Sequence, residues 1–100
     1  MATTKRISGI IGACLTPFGA DDHVDYKALE KEIEFLLPDC DAITVAAVEA
    51  AEYTMLSREE RKDLLRVATE IVAKRVPVIL GCSSPAPREV IELAEYAARV

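Results

Sequence analysis

Two carboxylates follow an apolar run, and they are the residues here best placed to do chemistry. The run is Ile43-Thr44-Val45-Ala46-Ala47-Val48; Glu49 and Glu52 come next, and Ser57 then opens a helix. A short apolar run without polar alternation fits a strand buried on both faces of a parallel sheet. In α/β proteins, ligands meet the loops at the carboxyl ends of such strands. There, Glu49 could orient a substrate hydroxyl or amine, or act as a general base. The plainer reading is an ion pair with an arginine on a neighbouring loop. Glu52 better suits anchoring its own loop by accepting backbone N–H bonds. Thr16 ends the first apolar run and would stand on the same rim, supporting the second loop. Tyr53 lies on the exit loop, within reach of a site mouth, but the simpler reading gives it no direct role. Ser83 and Ser84 end the third run, where a turn or cap is the simpler use.

Other chemistry is poorly supplied. No metal is expected, because two carboxylates without a nearby histidine suit transition metals badly. The one histidine, His23, sits in a polar turn. No cofactor motif occurs, since Thr16-Pro17-Phe18 occupies the place of a glycine-rich phosphate loop. Lys5, Lys27, Lys31, Lys62 and Lys74 fall at the amino terminus or on solvent-facing helix positions. None has the apolar strand-end setting that would lower an amine's pKa.

The elements that must position these residues are legible from their periodicity. Strands are expected near 9–15, 42–48 and 76–82, and helices near 25–37, 58–75 and 87–100. Asp25 is a good N-cap, and Tyr26, Leu29, Ile33, Leu36 and Leu37 recur at helical steps before Pro38. Two glycines in the first run, Gly9 and Gly12, allow close approach of neighbours. Ser57-Arg58-Glu59-Glu60 spells a capping box. Leu64, Val67, Ala68, Ile71 and Val72 continue that helix, with Lys74 and Arg75 in its last turn. The last helix carries Val90, Ile91, Ala94, Ala97 and Ala98 as its stripe. The three strands begin at intervals of about 33 and 34 residues, the size of one right-handed βα crossover.

The 100 residues amount to at most one domain, 51% apolar, with a net charge of −5. That charge argues against nucleic acid or an anionic membrane as partner. The basic residues Arg58, Arg61, Lys62 and Arg66, interleaved with acids, suggest a solvated helix face. Three unpaired cysteines, Cys14, Cys40 and Cys82, suit a reducing, cytoplasmic setting, with Cys14 and Cys82 in the core. No long apolar span or signal peptide is present. Val100 falls inside a helical pattern with no stop signal, and three parallel strands leave both edges open. A longer chain is expected, because a closed barrel needs about 250 residues.

The order of signals resembles the N-terminal third of the dihydrodipicolinate synthase / N-acetylneuraminate lyase family of class I aldolases. Gly9 to Phe18 (GIIGACLTPF), Gly19 to Leu29, Glu52 to Arg61 (EYTMLSREER) and Arg75 to Gly81 (RVPVILG) carry the likeness. The resemblance implies the first three βα units of a (β/α)8 TIM barrel spanning residues 1–100. It further implies a lyase, aldolase or dehydratase acting on a 2-keto acid or sugar acid, without a cofactor and as a homotetramer. Its Schiff-base lysine and relay tyrosine would lie beyond Val100. Where the family has Gly-Thr-Thr-Gly-Glu, this chain has Val48-Glu49-Ala50-Ala51-Glu52. Glu49 and Ala50 thus stand where the resemblance places substrate-binding hydroxyls. An ionised glutamate repels a substrate carboxylate, and alanine has no side-chain donor. Two readings follow: an enzyme of altered specificity, or a family member without chemistry that binds ligands or supports assembly.

Overall fold

Ser57 begins its helix as the capping box requires. In a computed structural model, which describes residues 6–47 and 53–100, Ser57 Oγ accepts from the Glu60 N–H at 3.1 Å. Glu60 Oε1 accepts from the Ser57 N–H at 2.8 Å in return. Three α-helices form among the described residues: α1 (Tyr26–Leu36), α2 (Arg58–Val72) and α3 (Pro87–Arg99). Asp25 caps α1 by accepting from the Ala28 N–H at 3.1 Å. The chain then tightens into a single 3₁₀ turn at Leu37–Asp39, around the proline.

Helix α2 stops at Val72, three residues before the expected end. Ala73 and Lys74 adopt left-handed φ values of 51° and 66°, which cannot continue a right-handed helix. Arg75 therefore lies past the end, and its side chain serves as the cap. Its Nε donates to the Val72 carbonyl at 2.9 Å and its Nη2 to the Ile71 carbonyl at 2.8 Å. The same guanidinium reaches Glu34 of α1 at 2.5 Å, holding that carboxyl below the usual carboxylate range. Helix α3 buries Leu93 rather than Ile91, which is exposed, so its inner face is turned from the expected stripe.

The strands β1 (Ile11–Ala13), β2 (Ala42–Val45) and β3 (Val78–Leu80) form one parallel sheet in the order β1-β2-β3. Each is shorter than its apolar run. β2 ends where Ala46 takes a φ of 53°, which turns the chain out of the ladder. Pro77, lacking an N–H, still lends its carbonyl to the Ile43 N–H at 3.0 Å. Gly12 lets Cys40 pack closely on the strand, since a Cβ there would fall 2.6 Å from Cys40 Sγ and displace that side chain.

The pleat sorts the two faces. Cys14, Ile43 and Val45 join Leu29, Ile33, Leu64, Leu65, Ala68 and Val72 in the core between sheet and helices. Ile11, on the opposite face, is exposed. In a closed barrel that face points inward. Lys62 and Arg58 of α2 both pair with Glu92 of α3, at 2.7 and 3.2 Å, which ties the last two helices together.

Cys14 occupies the core as expected, whereas Cys82 is only partly buried. Burial, with Glu32 nearby, pushes the Cys14 thiol up to about 12. A neutral, buried thiol is a poor nucleophile. Iodoacetamide at pH 8 should leave Cys14 unmodified in the folded protein and modify it after denaturation. Mass-spectrometric detection of Cys14 labelled at the rate of a free thiol in native protein would contradict this placement.

Candidate functional site at the carboxyl ends of the strands

The strand ends converge where chain order requires. Thr16 follows β1 and is buried at 5% exposure. Ala46 and Ala47 follow β2, and Gly81 to Ser84 follow β3. Gly81 is packed so closely on β2 that a Cβ would fall 2.8 Å from the Ala46 carbonyl carbon. Its N–H donates to the Val45 carbonyl at 2.9 Å, the last rung between these strands. Glu49 and Ala50, the expected substrate-binding positions, lie outside the described residues, as does Glu52.

One buried charge organises this end of the sheet. Arg61 is 2% exposed, against the expectation of a solvated basic face; Arg58 and Arg66 do meet that expectation. Arg61 Nη1 donates to the Ser83 carbonyl at 2.6 Å. Its Nη2 donates to the Gly81 carbonyl and, at 3.5 Å, to that of Ala46. The guanidinium carbon lies 5.3 Å from the centre of the Tyr53 ring, a cation–π distance. Arg61 Nε is buried, with no hydrogen-bond partner among the described residues. Tyr53 sits in a 3₁₀ turn, Tyr53–Met55, with its ring turned to this arginine.

A signal for Arg61 is present in the sequence. It stands four, seven and eleven residues before Leu65, Ala68 and Val72, on the spacing of the buried face. The run of mixed charges around it hides that register. Burial pushes the neighbouring Cys82 thiol up, and Arg61 partly offsets the effect. Ser84 takes the turn role, its Oγ accepting from the Ala86 N–H at 3.1 Å.

No lysine among the described residues stands at this rim. Lys27, Lys31 and Lys74 are exposed, and Lys62 is engaged with Glu92. Among the described residues no group of three or more His, Cys, Asp or Glu could hold a metal. No described helix is long and apolar enough to cross a membrane.

Sequential parallel strands, each followed by a helix packed on the same face, define the class: these are the N-terminal βα units of a (β/α)8 barrel. The chain belongs to the dihydrodipicolinate synthetase family, whose profile matches residues 6–100. It is 36% identical over 100 residues to 4-hydroxy-tetrahydrodipicolinate synthase of Albidiferax ferrireducens, covering 99% of this chain and 33% of that protein. The Rickettsia bellii enzyme of the same name is 42% identical over 93 residues, covering 92% of this chain and 31% of that protein. Among solved structures, a dihydrodipicolinate synthase from Bacillus anthracis superposes with a TM-score of 0.86 at 30% identity, over 94% of this chain and 32% of its own. A prophage protein of the family from E. coli K12, solved in complex with pyruvate, gives a TM-score of 0.86 at 34% identity, over 91% and 30%. The chain thus spans about a third of the length of its relatives.

Proposed function

We propose that this chain is the N-terminal part of a lyase acting on a 2-keto acid or sugar acid through a lysine Schiff base. The lysine is contributed from beyond residue 100. Its amine adds to the substrate carbonyl and water leaves, giving an imine. Once protonated, the imine draws electrons from the adjacent bond and eases C–C cleavage or loss of water. The observation that carries this reading is membership of the family over residues 6–100. The pyruvate held by two relatives supports a small 2-keto acid as ligand. Thr16, buried at the rim, supports the loop that faces the substrate, and Glu49 and Ala50 adjust which substrate is taken. The protein works in the cytoplasm as a homo-oligomer and needs no cofactor.

Borohydride trapping on the full-length protein tests this. Incubation with a panel of 2-keto acids, pyruvate included, followed by borohydride, should add the mass of the reduced adduct at one lysine beyond residue 100. An absence of adduct with every member of the panel removes the imine mechanism. The departure at Glu49 and Ala50 would then favour a family member that binds ligands or supports assembly without chemistry.

A further inference from the structure

We infer that Arg61 is a positioning residue that sets the spacing between the β2 and β3 exits, and with it the shape of the rim. The substrate part of this claim rests on the function proposed above. The spacing part does not. The ladder between β2 and β3 runs through Val45 and Leu80, and the Gly81 N–H adds one last rung. Beyond it the two chains diverge into loops, with Ala46 left-handed. Arg61 takes over at that point. One guanidinium donates to carbonyls on both sides of the divergence: Ala46 after β2, and Gly81 and Ser83 after β3.

Apolar packing alone does not call for arginine here. The position belongs to the buried stripe of α2, where leucine or methionine would pack without a charge. A buried cation is costly unless it is fully hydrogen-bonded, and removing this one would in turn leave the Gly81 and Ser83 carbonyls without its N–H groups. Among the described residues Arg61 Nε has no acceptor, and no carboxylate pairs with the guanidinium. The planar fork does offer something leucine cannot. Its two Nη groups reach separate carbonyls from one rigid plane, whereas a lysine is a single point charge. Stacking on Tyr53 orients the plane further.

The test compares Arg61→Met and Arg61→Lys with the parent full-length protein. Two readouts are taken: amide hydrogen exchange, and the pyruvate concentration that half-saturates borohydride trapping. In Arg61→Met, protection of the Gly81 N–H should fall while that of Ile43 and Val45 holds. Half-saturation should rise at least about tenfold, the effect of about one lost hydrogen bond to the charged substrate at a displaced rim. The limiting trapping rate should change less, and Arg61→Lys should recover part of the loss. Simple loss of folded protein would lower the limiting rate at unchanged half-saturation. That result, or unchanged protection at Gly81, overturns the inference. Should Arg61→Met fail to fold, Arg61→Lys is read in the same two ways, and the same outcomes uphold or overturn the inference. Should the parent trap no pyruvate, exchange at Gly81 alone decides: selective loss upholds the spacing role, and uniform or absent loss refutes it.

Discussion

Replacing Gly81 with alanine should destabilise the full-length protein by about 3 kcal/mol or more, the upper range for overpacking a core. The added Cβ would fall 2.8 Å from the Ala46 carbonyl carbon and closer still to Ala46 O and Ala47 Cα. All three are backbone atoms, so no rotamer change relieves the clash. The sheet itself must open between β2 and β3. Opening it stretches the Gly81 N–H bond to the Val45 carbonyl, now 2.9 Å. It also pulls the Gly81 carbonyl from Arg61, which grips both sides. Gly19→Ala is the matched control. Its Cβ would meet Asp21 Oδ1 at 3.0 Å, the end of an exposed side chain that can swing aside for the loss of one solvent-exposed bond from the His23 N–H. Urea unfolding should therefore show a large fall in midpoint for Gly81→Ala and a change within about 1 kcal/mol for Gly19→Ala. Equal midpoints for the two variants would mean that the exits of β2 and β3 are not packed as described.

What can be read from the sequence and what cannot divide along a physical line. Signals that act within a few residues are legible. Ser57 and Glu60 form their box, Asp25 caps its helix, and the apolar runs become parallel strands in chain order. These depend on local hydrogen bonds and on side-chain period. Ends set by tertiary context are not legible. The left-handed Ala46 and Ala73 carry no glycine or asparagine to announce them, yet they end β2 and α2. Contacts from far along the chain meet both: Arg61 reaches the Ala46 carbonyl at 3.5 Å, and Arg75, two residues after Ala73, pairs with Glu34. The inward face of Arg61 escapes a sequence reading for the related reason that its acceptors are carbonyls 15 to 22 residues away. Backbone acceptors carry no residue-type signature, so a buried cation served by them resembles a surface charge in sequence. The Gly-Thr-Thr-Gly-Glu departure is different in kind. It is legible because it is a matter of residue identity at Val48 to Glu52, and no fold is needed to see it.

That departure makes the second large prediction. Changing Glu49 and Ala50 together to threonine in the full-length protein should improve pyruvate capture about 100-fold, read as a lower half-saturating concentration in borohydride trapping. A hydrogen bond to a charged group contributes about 1.5–3 kcal/mol, and tenfold in affinity corresponds to about 1.4 kcal/mol. Two restored hydroxyls could supply more than the predicted factor, and the cost of ordering their side chains on binding trims it. Removal of one carboxylate also removes its repulsion of the substrate carboxylate. The two contributions separate in the single variants. Glu49→Gln removes charge while adding no threonine, and its gain should shrink as salt is raised. Ala50→Thr adds a donor at constant charge, and its gain should be indifferent to salt. A larger 2-keto sugar acid, if it is the true ligand, should lose affinity in the double variant as pyruvate gains it. Such an exchange would mark the Glu49-Ala50 pair as a specificity device. If the double variant binds pyruvate no better than the parent, the pair does not face the substrate carboxylate, and the altered signature reflects the architecture of the loop instead.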